Sequence, residues 1–346
     1  MTSPPDSEHD PGAPAARARA DRIPLREVTP VRAGAGTVLV GTAGWTDPTL
    51  TAAGVFYPAG AATPAERLRY YASRFPVVEI DSSYYALPSR RSAALWAERT
   101  PDSFTFDVKA NALMTGHPSE VRRLPKELRD ALPAKLRERP RLYAKDLPAE
   151  LYDAVWTTFL DALAPLHAAG KLGAVLLQYP RWFLPGREGV AELLDARRRL
   201  GEVTGVVEFR NHRWLTGRAA ERTLAFLEAH AMPFVMVDEP QGMESSVPPI
   251  VAATSSRLAV LRLHGRRAES WERRGATVAE RYRYLYDEQQ LAGWVPALLD
   301  LAQRTREVHV IHNNCYANYG TTNALELTQL LLDAAPDGKS HLPAAR

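Results

Sequence analysis

In the run "LAVLRLHGRR" (258–267), Arg262 and His264 stand two residues apart at the end of an apolar stretch. On a period-2 strand both point to the side that carries Leu258 and Val260. Three other short runs share the pattern. Glu79, Asp81 and Ser83 alternate with Val78 and Ile80; Thr105, Asp107 and Lys109 alternate with Phe104, Phe106 and Val108; Glu208 and Arg210 alternate with Val207 and Phe209. Together these runs supply four acids, three fixed cations and one titratable histidine. Such a set suits proton transfer and anion binding: carboxylates act as bases, lysine or histidine as acid or electrophile, and arginines as clamps. Buried charges are costly unless paired or wetted. They therefore form either a sealed salt-bridge layer or a polar cleft. The cleft is favoured, because buried ion pairs seldom stabilise better than apolar packing.

Eight β-rich runs could carry these residues: 37–45, 77–85, 104–111, 173–180, 205–211, 233–240, 258–266 and 307–314. Apolar i, i+3, i+4 spacing predicts helices within 64–75, 91–100, 151–170, 189–201, 219–230, 287–305 and 322–335, with a kink at Pro296. Parallel strands joined by helical crossovers are covered on both faces. Eight such units predict a (β/α)8 barrel of the TIM type, whose active sites lie at the C-terminal strand ends. An open doubly wound sheet is the alternative, but no G-x-G-x-x-G follows any strand. In the barrel the apolar side of each run faces the helices, so the charged side faces the axis.

Two segments break the pattern. Residues 241–257 are too short and proline-rich for a normal crossover helix, which predicts an extended sixth crossover. Residues 117–150 form a long insertion after the third strand, with nine Lys/Arg against six Asp/Glu. It reads as a basic lid over the mouth, or as a solvated excursion with balanced charge pairs.

The 346 residues are 45% hydrophobic and 24% charged, an ordinary globular balance. A net charge of +3 is too small to mark a nucleic-acid-binding protein by bulk charge. The single cysteine, Cys315, excludes a disulfide framework and predicts a cytoplasmic protein. No apolar run spans a bilayer, and the start of the chain lacks a secretory signal pattern. Residues 1–36 and 336–346 are expected to be disordered tails flanking one barrel domain at 37–335.

Other constellations are weaker. His309 and His312 have opposite strand parity and cannot both ligate one ion. A divalent metal held by Glu79, Glu208, Asp238 and His264 is disfavoured, because Lys109, Arg210 and Arg262 would occupy the same space. No NAD or PLP signature stands out, so no cofactor is predicted. Cys315 reads as a passive thiol. The run "RYRYLY" (281–286) could stack bases or sugars, or simply pack on the rim.

The order of short motifs resembles the YecE-like domain-of-unknown-function family 72. They are "VGTAGWTDP", "VVEIDSSYYALPS", "FTFDVKA", "LLQYP", "VEFRNHRW", "VMVDEP", "LRLHGR", "YRYLYDEQQL" and "HNN", and they cover about residues 38–333. The resemblance implies a TIM-type barrel, in a group described by remote similarity as sugar-isomerase-related, with no established activity. It implies site positions at Trp45, Glu79, Tyr85, Lys109, Gln178, Glu208, Arg210, Asp238, Arg262, His264, Gly265, Arg266, Asn313 and Asn314. Three motifs depart from the family pattern, with Asp81, Asn211 and His312 where Asn, His and Phe are usual.

The expected function is acid/base chemistry on a small anionic or sugar-like molecule. Arg262 and Arg266 would clamp the anion. Glu79 or Glu208 would be the base, Lys109 or His264 the acid, and Asp81 would join the binding set. The rival is a nucleic-acid-binding module that uses the basic insertion and the Tyr/Arg run.

Overall fold

The computed structural model describes residues 12–24, 28 and 30–335. Eight parallel strands form the barrel: β1 Gly36–Ala43, β2 Val77–Ile80, β3 Thr105–Lys109, β4 Leu172–Gln178, β5 Gly205–Glu208, β6 Val235–Asp238, β7 Leu258–Leu263 and β8 Glu307–His312. Hydrogen bonding runs β5-β4-β3-β2-β1-β8-β7-β6. Between β5 and β6 the ring closes through one bridge, Val207 to Phe234. The barrel is thus nearly closed and of the TIM type, as the alternating pattern predicts.

The helical layer follows from the apolar stripes. In α5 (Arg187–Leu200), Leu193, Ala196 and Leu200 are buried at helical spacing. α2 (Pro64–Ala72) starts with a reciprocal Thr63–Glu66 capping box and a proline in its first turn. The kink expected at Pro296 is a full break. A short helix ends at Ala292, and α7 (Val295–Arg304) restarts with the proline in its first turn, where a missing N–H costs nothing. No helix forms between Asp238 and Leu258, so the sixth crossover is extended as expected. The 117–150 insertion folds into short helical turns and a two-stranded ribbon, Ser119–Glu120 with Arg141–Leu142.

Gly41 shows how closely the strands pack. A Cβ there would lie 2.0 Å from the carbonyl oxygen of Val77 on β2, so only glycine fits. Among the described residues, no helix is long and apolar enough to cross a membrane.

Part of the expected N-terminal tail is ordered. Residues Gly12–Ala20 form α1, and Val31–Ala33 pair antiparallel with β1. α1 lies on α8 (Tyr319–Ala334): Arg19 makes two 2.6 Å bonds to Glu326, and Asn318 and Thr322 donate to the carbonyls of Ala13 and Ala16. Composition misses this docking because polar contacts and one buried alanine hold it in place of an apolar stripe. The expected tails at 1–11 and 336–346 lie outside the described residues.

Candidate active site

One residue before the end of β7, Arg262 lies at the centre of the barrel, fully buried. Its Nη1 donates to Glu208 Oε2 at 2.6 Å and its Nη2 to Glu79 Oε1 at 2.5 Å. Glu208 is shared further. Arg210 Nε and Gln178 Nε2 each lie 2.7 Å from its Oε1, and His264 Nε2 lies 3.2 Å from the same oxygen. Burial would raise the Glu208 carboxyl, but Arg262, Arg210 and His264 outweigh it and hold the group well below the usual range. Glu208 is therefore a fixed anion that positions two arginines, and a poor base.

His264 is neutral. Burial, reinforced by Arg210, pushes it down to about 3 despite Glu208. Asn313 Nδ2 lies 2.9 Å from His264 Nδ1, and Arg262 Nη2 lies 3.4 Å from Asn313 Oδ1. A proton on Nε2 points at Glu208 Oε1 and leaves Nδ1 to accept from the Asn313 amide. Arg210 Nη2, 3.1 Å from Nε2, then opposes any second proton on the ring. His264 can orient Glu208 but does not supply a proton at neutral pH.

Asp81, two residues beyond the buried Glu79, is the carboxyl nearest solvent. Ser83 fastens their loop to β3 by donating to the carbonyls of Ile80 and Lys109. Burial, aided by the Asp81 charge, pushes Glu79 up to about 8 against the pull of Arg262 and Lys109. Burial would also raise Asp81, but Lys109 and Arg262 outweigh it and the group is lowered, helped by a hydrogen bond from Glu79. Of the two, Glu79 is the carboxyl that keeps its proton at neutral pH. Lys109 Nζ lies 3.4 Å from Asp81 and 5.0 Å from the Tyr84 ring centroid. Side-chain exposure is 32% for Asp81, 14% for Lys109 and 12% for Arg210, against 0–2% for Glu79, Glu208, Arg262 and His264. The polar centre is a sealed inner layer with a solvent-touching edge, so each sequence alternative describes one part of it.

Strand register explains which expected residues meet and which do not. Leu263 pairs with Asp238 on β6 and with His312 on β8. Asp238 therefore faces the helices, as Leu263 does. There it takes both Arg266 nitrogens at 2.8 and 2.6 Å, Trp294 Nε1 at 2.8 Å and the Tyr286 hydroxyl at 3.1 Å. Arg266 is consumed by that carboxylate and is not free to clamp an anion at the axis. Asn314 also lies outside the axis, donating to the Tyr284 carbonyl and to Asn323. Gly265 has φ +89°, and a Cβ would come within 2.5 Å of Tyr284 Cβ, so it serves the backbone. Trp45 packs edge-on against Trp96 and Phe106 in the apolar layer. Tyr85 stands exposed on the rim beside Arg123. Glu79, Asp81, Lys109, Gln178, Glu208, Arg210, Arg262, His264 and Asn313 do converge.

Asp107 points inward but belongs elsewhere. It lies 2.9 Å from His309 Nδ1, whose Nε2 is 3.4 Å from Glu307 near the strand starts. Burial opposes charging of His309, but Asp107 and Glu307 prevail and raise it to about 9. Asn211 caps the turn at His212–Trp214, and Cys315, pushed up by burial, donates to the Ala43 carbonyl. The expected "RYRYLY" cluster is divided: Tyr286 is buried against Asp238, while Tyr282 lies 6.1 Å from His264 by ring centroid.

The residue that sequence reasoning missed is Glu239. It follows β6, on the inward side, and accepts from Arg210 Nη1 at 2.8 Å and from the Val247 amide at 2.8 Å. Burial, against Arg210 and that amide, raises it to about 7. No local signal selects it, because β6 is apolar on both faces and only its register against β7 decides which residue turns inward. His117, Trp182 and Trp271 were missed as well. Trp271 lies under Arg210 at 5.1 Å, and His117 touches Tyr84 and Trp182.

No three of the described His, Cys, Asp or Glu side chains are grouped so as to hold a metal ion. The four residues named as a possible metal set are divided, because Asp238 faces outward and the Glu208 oxygens are taken by arginines.

An eight-stranded barrel with a charged centre at its C-terminal strand ends defines the class: a TIM-type barrel. The chain belongs to the family described as "Protein of unknown function DUF72", whose profile matches residues 39–345. It is 33% identical over 297 residues to the UPF0759 protein YunF of Bacillus subtilis, covering 85% of this chain and 94% of that one. It is similar to the crystal structure of a DUF72 family protein from Thermotoga maritima, with 29% identity, TM-score 0.66 and coverage of 85% and 98%. A DUF72 family protein from Enterococcus faecalis gives 26% identity, TM-score 0.67 and coverage of 85% and 95%.

Proposed function

We propose that the protein is an enzyme that moves a proton on a small polar, anionic or sugar-like substrate at the C-terminal mouth of the barrel. One observation carries the proposal. With all four ionised, Glu79, Asp81, Glu208 and Glu239 outnumber the three fixed cations Lys109, Arg210 and Arg262 by one charge, which favours keeping a proton in the set. Glu79 holds it, and the partly exposed Asp81 beside it connects that proton to the mouth. The pair acts as one acid/base unit.

Lys109 and Arg210, the cations nearest solvent, would attract the substrate's anionic or oxygen-rich end. The Trp271–Tyr282 edge-to-face pair beside Arg210, and Tyr84 beside Lys109, offer aromatic faces suited to a sugar ring. Arg262, Glu208, Gln178, His264 and Asn313 position these groups and do not meet substrate. Isomerisation next to a carbonyl suits this equipment, and no metal or organic cofactor is invoked. The reaction is placed in the cytoplasm, in keeping with the single cysteine.

Proton exchange can be read whether or not a product accumulates. Aldose and ketose sugars and their phosphates are incubated with the protein in deuterated water and followed by NMR. Deuterium should enter at a carbon next to a carbonyl with the wild type and not with Glu79→Gln. Exchange that survives this substitution, or none across the panel, overturns the proposal.

A further inference from the structure

A cavity of about 400 Å3 lies in the 117–150 insertion, outside the barrel axis. Arg122, Arg129, Arg137, Arg139 and Arg141 line it, with Glu120 as the one acid in the lining. Two of the guanidiniums are held by neutral groups: Arg129 donates to the Arg122 carbonyl, and Arg137 to those of Asp130 and Leu132. Arg139 has Asp146 at 3.1 Å. The Glu120 carboxylate is contacted by Arg122, Arg123 and, at 4.0 Å, Arg141. The lining thus holds five guanidiniums and one carboxylate, a clear excess of positive charge even with Asp146 beside Arg139.

We propose that this groove is a binding site for a polyphosphate, a ligand carrying two or more linked phosphate groups. Planar guanidinium forks match phosphate oxygens in pairs. The concave volume falls in the range of about 300–1,000 Å3 typical of small-molecule sites. Arg122 and Arg141 keep side-chain exposures of 79% and 66%, so both can reach an incoming ligand. The groove adjoins the mouth, because Arg123 lies 5.7 Å over the Tyr85 ring. It does not depend on proton chemistry at Glu79. Terminal phosphates of a small molecule and the phosphates of a nucleic-acid strand share this chemistry.

Calorimetry with inorganic tripolyphosphate tests it, at about 50 and about 200 mM salt. The full chain should bind one equivalent, more weakly at the higher salt. The double variant R122Q/R141Q should lose about tenfold in affinity, equivalent to about 1.4 kcal/mol. Thermal melting confirms that the variant is folded, which is expected because Glu120 keeps Arg123. A labelled single-stranded oligonucleotide displaced by tripolyphosphate would make nucleic acid the source of the phosphates. One that does not bind would leave a small polyphosphate, and either result retains the site. No tripolyphosphate binding to the wild type, or equal affinity in the folded double variant, overturns the proposal.

Discussion

Glu79→Gln should make the protein more stable at alkaline pH, an unusual outcome for a change inside a barrel. The side chain is buried, and its carboxyl is raised from 4.5 to about 8. In the unfolded chain it ionises near its ordinary value. Between pH 4.5 and 8 the folded state therefore holds a proton that the unfolded state has released. Stability falls as pH rises through that window. A rise of that size sets a ceiling of about 5 kcal/mol, and the interaction with Asp81 makes the realised figure smaller. Glutamine keeps the acceptor oxygen for Arg262 and carries no charge at any pH. Urea unfolding of both proteins from pH 4.5 to 9 is the assay. The curves should nearly coincide at the acid end. They should separate steadily to a few kcal/mol in favour of the variant by pH 8 and stay parallel above it. A constant difference across the range, or a variant less stable at pH 8, is incompatible with a proton held on Glu79.

Two further outcomes follow from the other ion pairs. His309 is raised to about 9 by Asp107 and Glu307. Its contribution is fully present below pH 6.5 and lost as pH rises through about 9, with a ceiling of about 3 kcal/mol. His309→Gln should therefore destabilise more at pH 6 than at pH 9.5 in urea unfolding. Asp238→Asn should cost about 2–4 kcal/mol, because it strands Arg266 and weakens the bonds from Trp294 and Tyr286. It should leave the titration of Glu79 unmoved, since Asp238 lies on the other face of the sheet; chemical denaturation and carboxyl NMR read the two effects.

Much of this arrangement is legible in local sequence because strand parity is a strict rule. Charged residues two apart in β2, β3, β5 and β7 could point only one way once their alternate neighbours were apolar. That placed Glu79, Lys109, Glu208, Arg210, Arg262 and His264 on the axis correctly. Register is not a local property. Asp238 and Arg266, implied by motif resemblance, meet on the outer face because β6 enters the sheet with residue 238 beside Leu263. The same register turns Glu239 inward. Parity also cannot tell depth. Asp107 and Lys109 share a side, but Asp107 pairs with His309 toward the strand starts while Lys109 reaches the mouth. The docking of α1 was hidden because alanines and backbone carbonyls leave little pattern.

The protonation of Glu79 at neutral pH is the point on which the rest turns. Carbon-13 NMR titration of glutamate side-chain carboxyls, with the Glu79 signal assigned by its loss in Glu79→Gln, measures it directly. A midpoint near 8 is expected, with the carboxyl still largely protonated at pH 7. A midpoint below 5 would mean that the four carboxyls tolerate full ionisation beside three cations, and the proposed proton store would not exist.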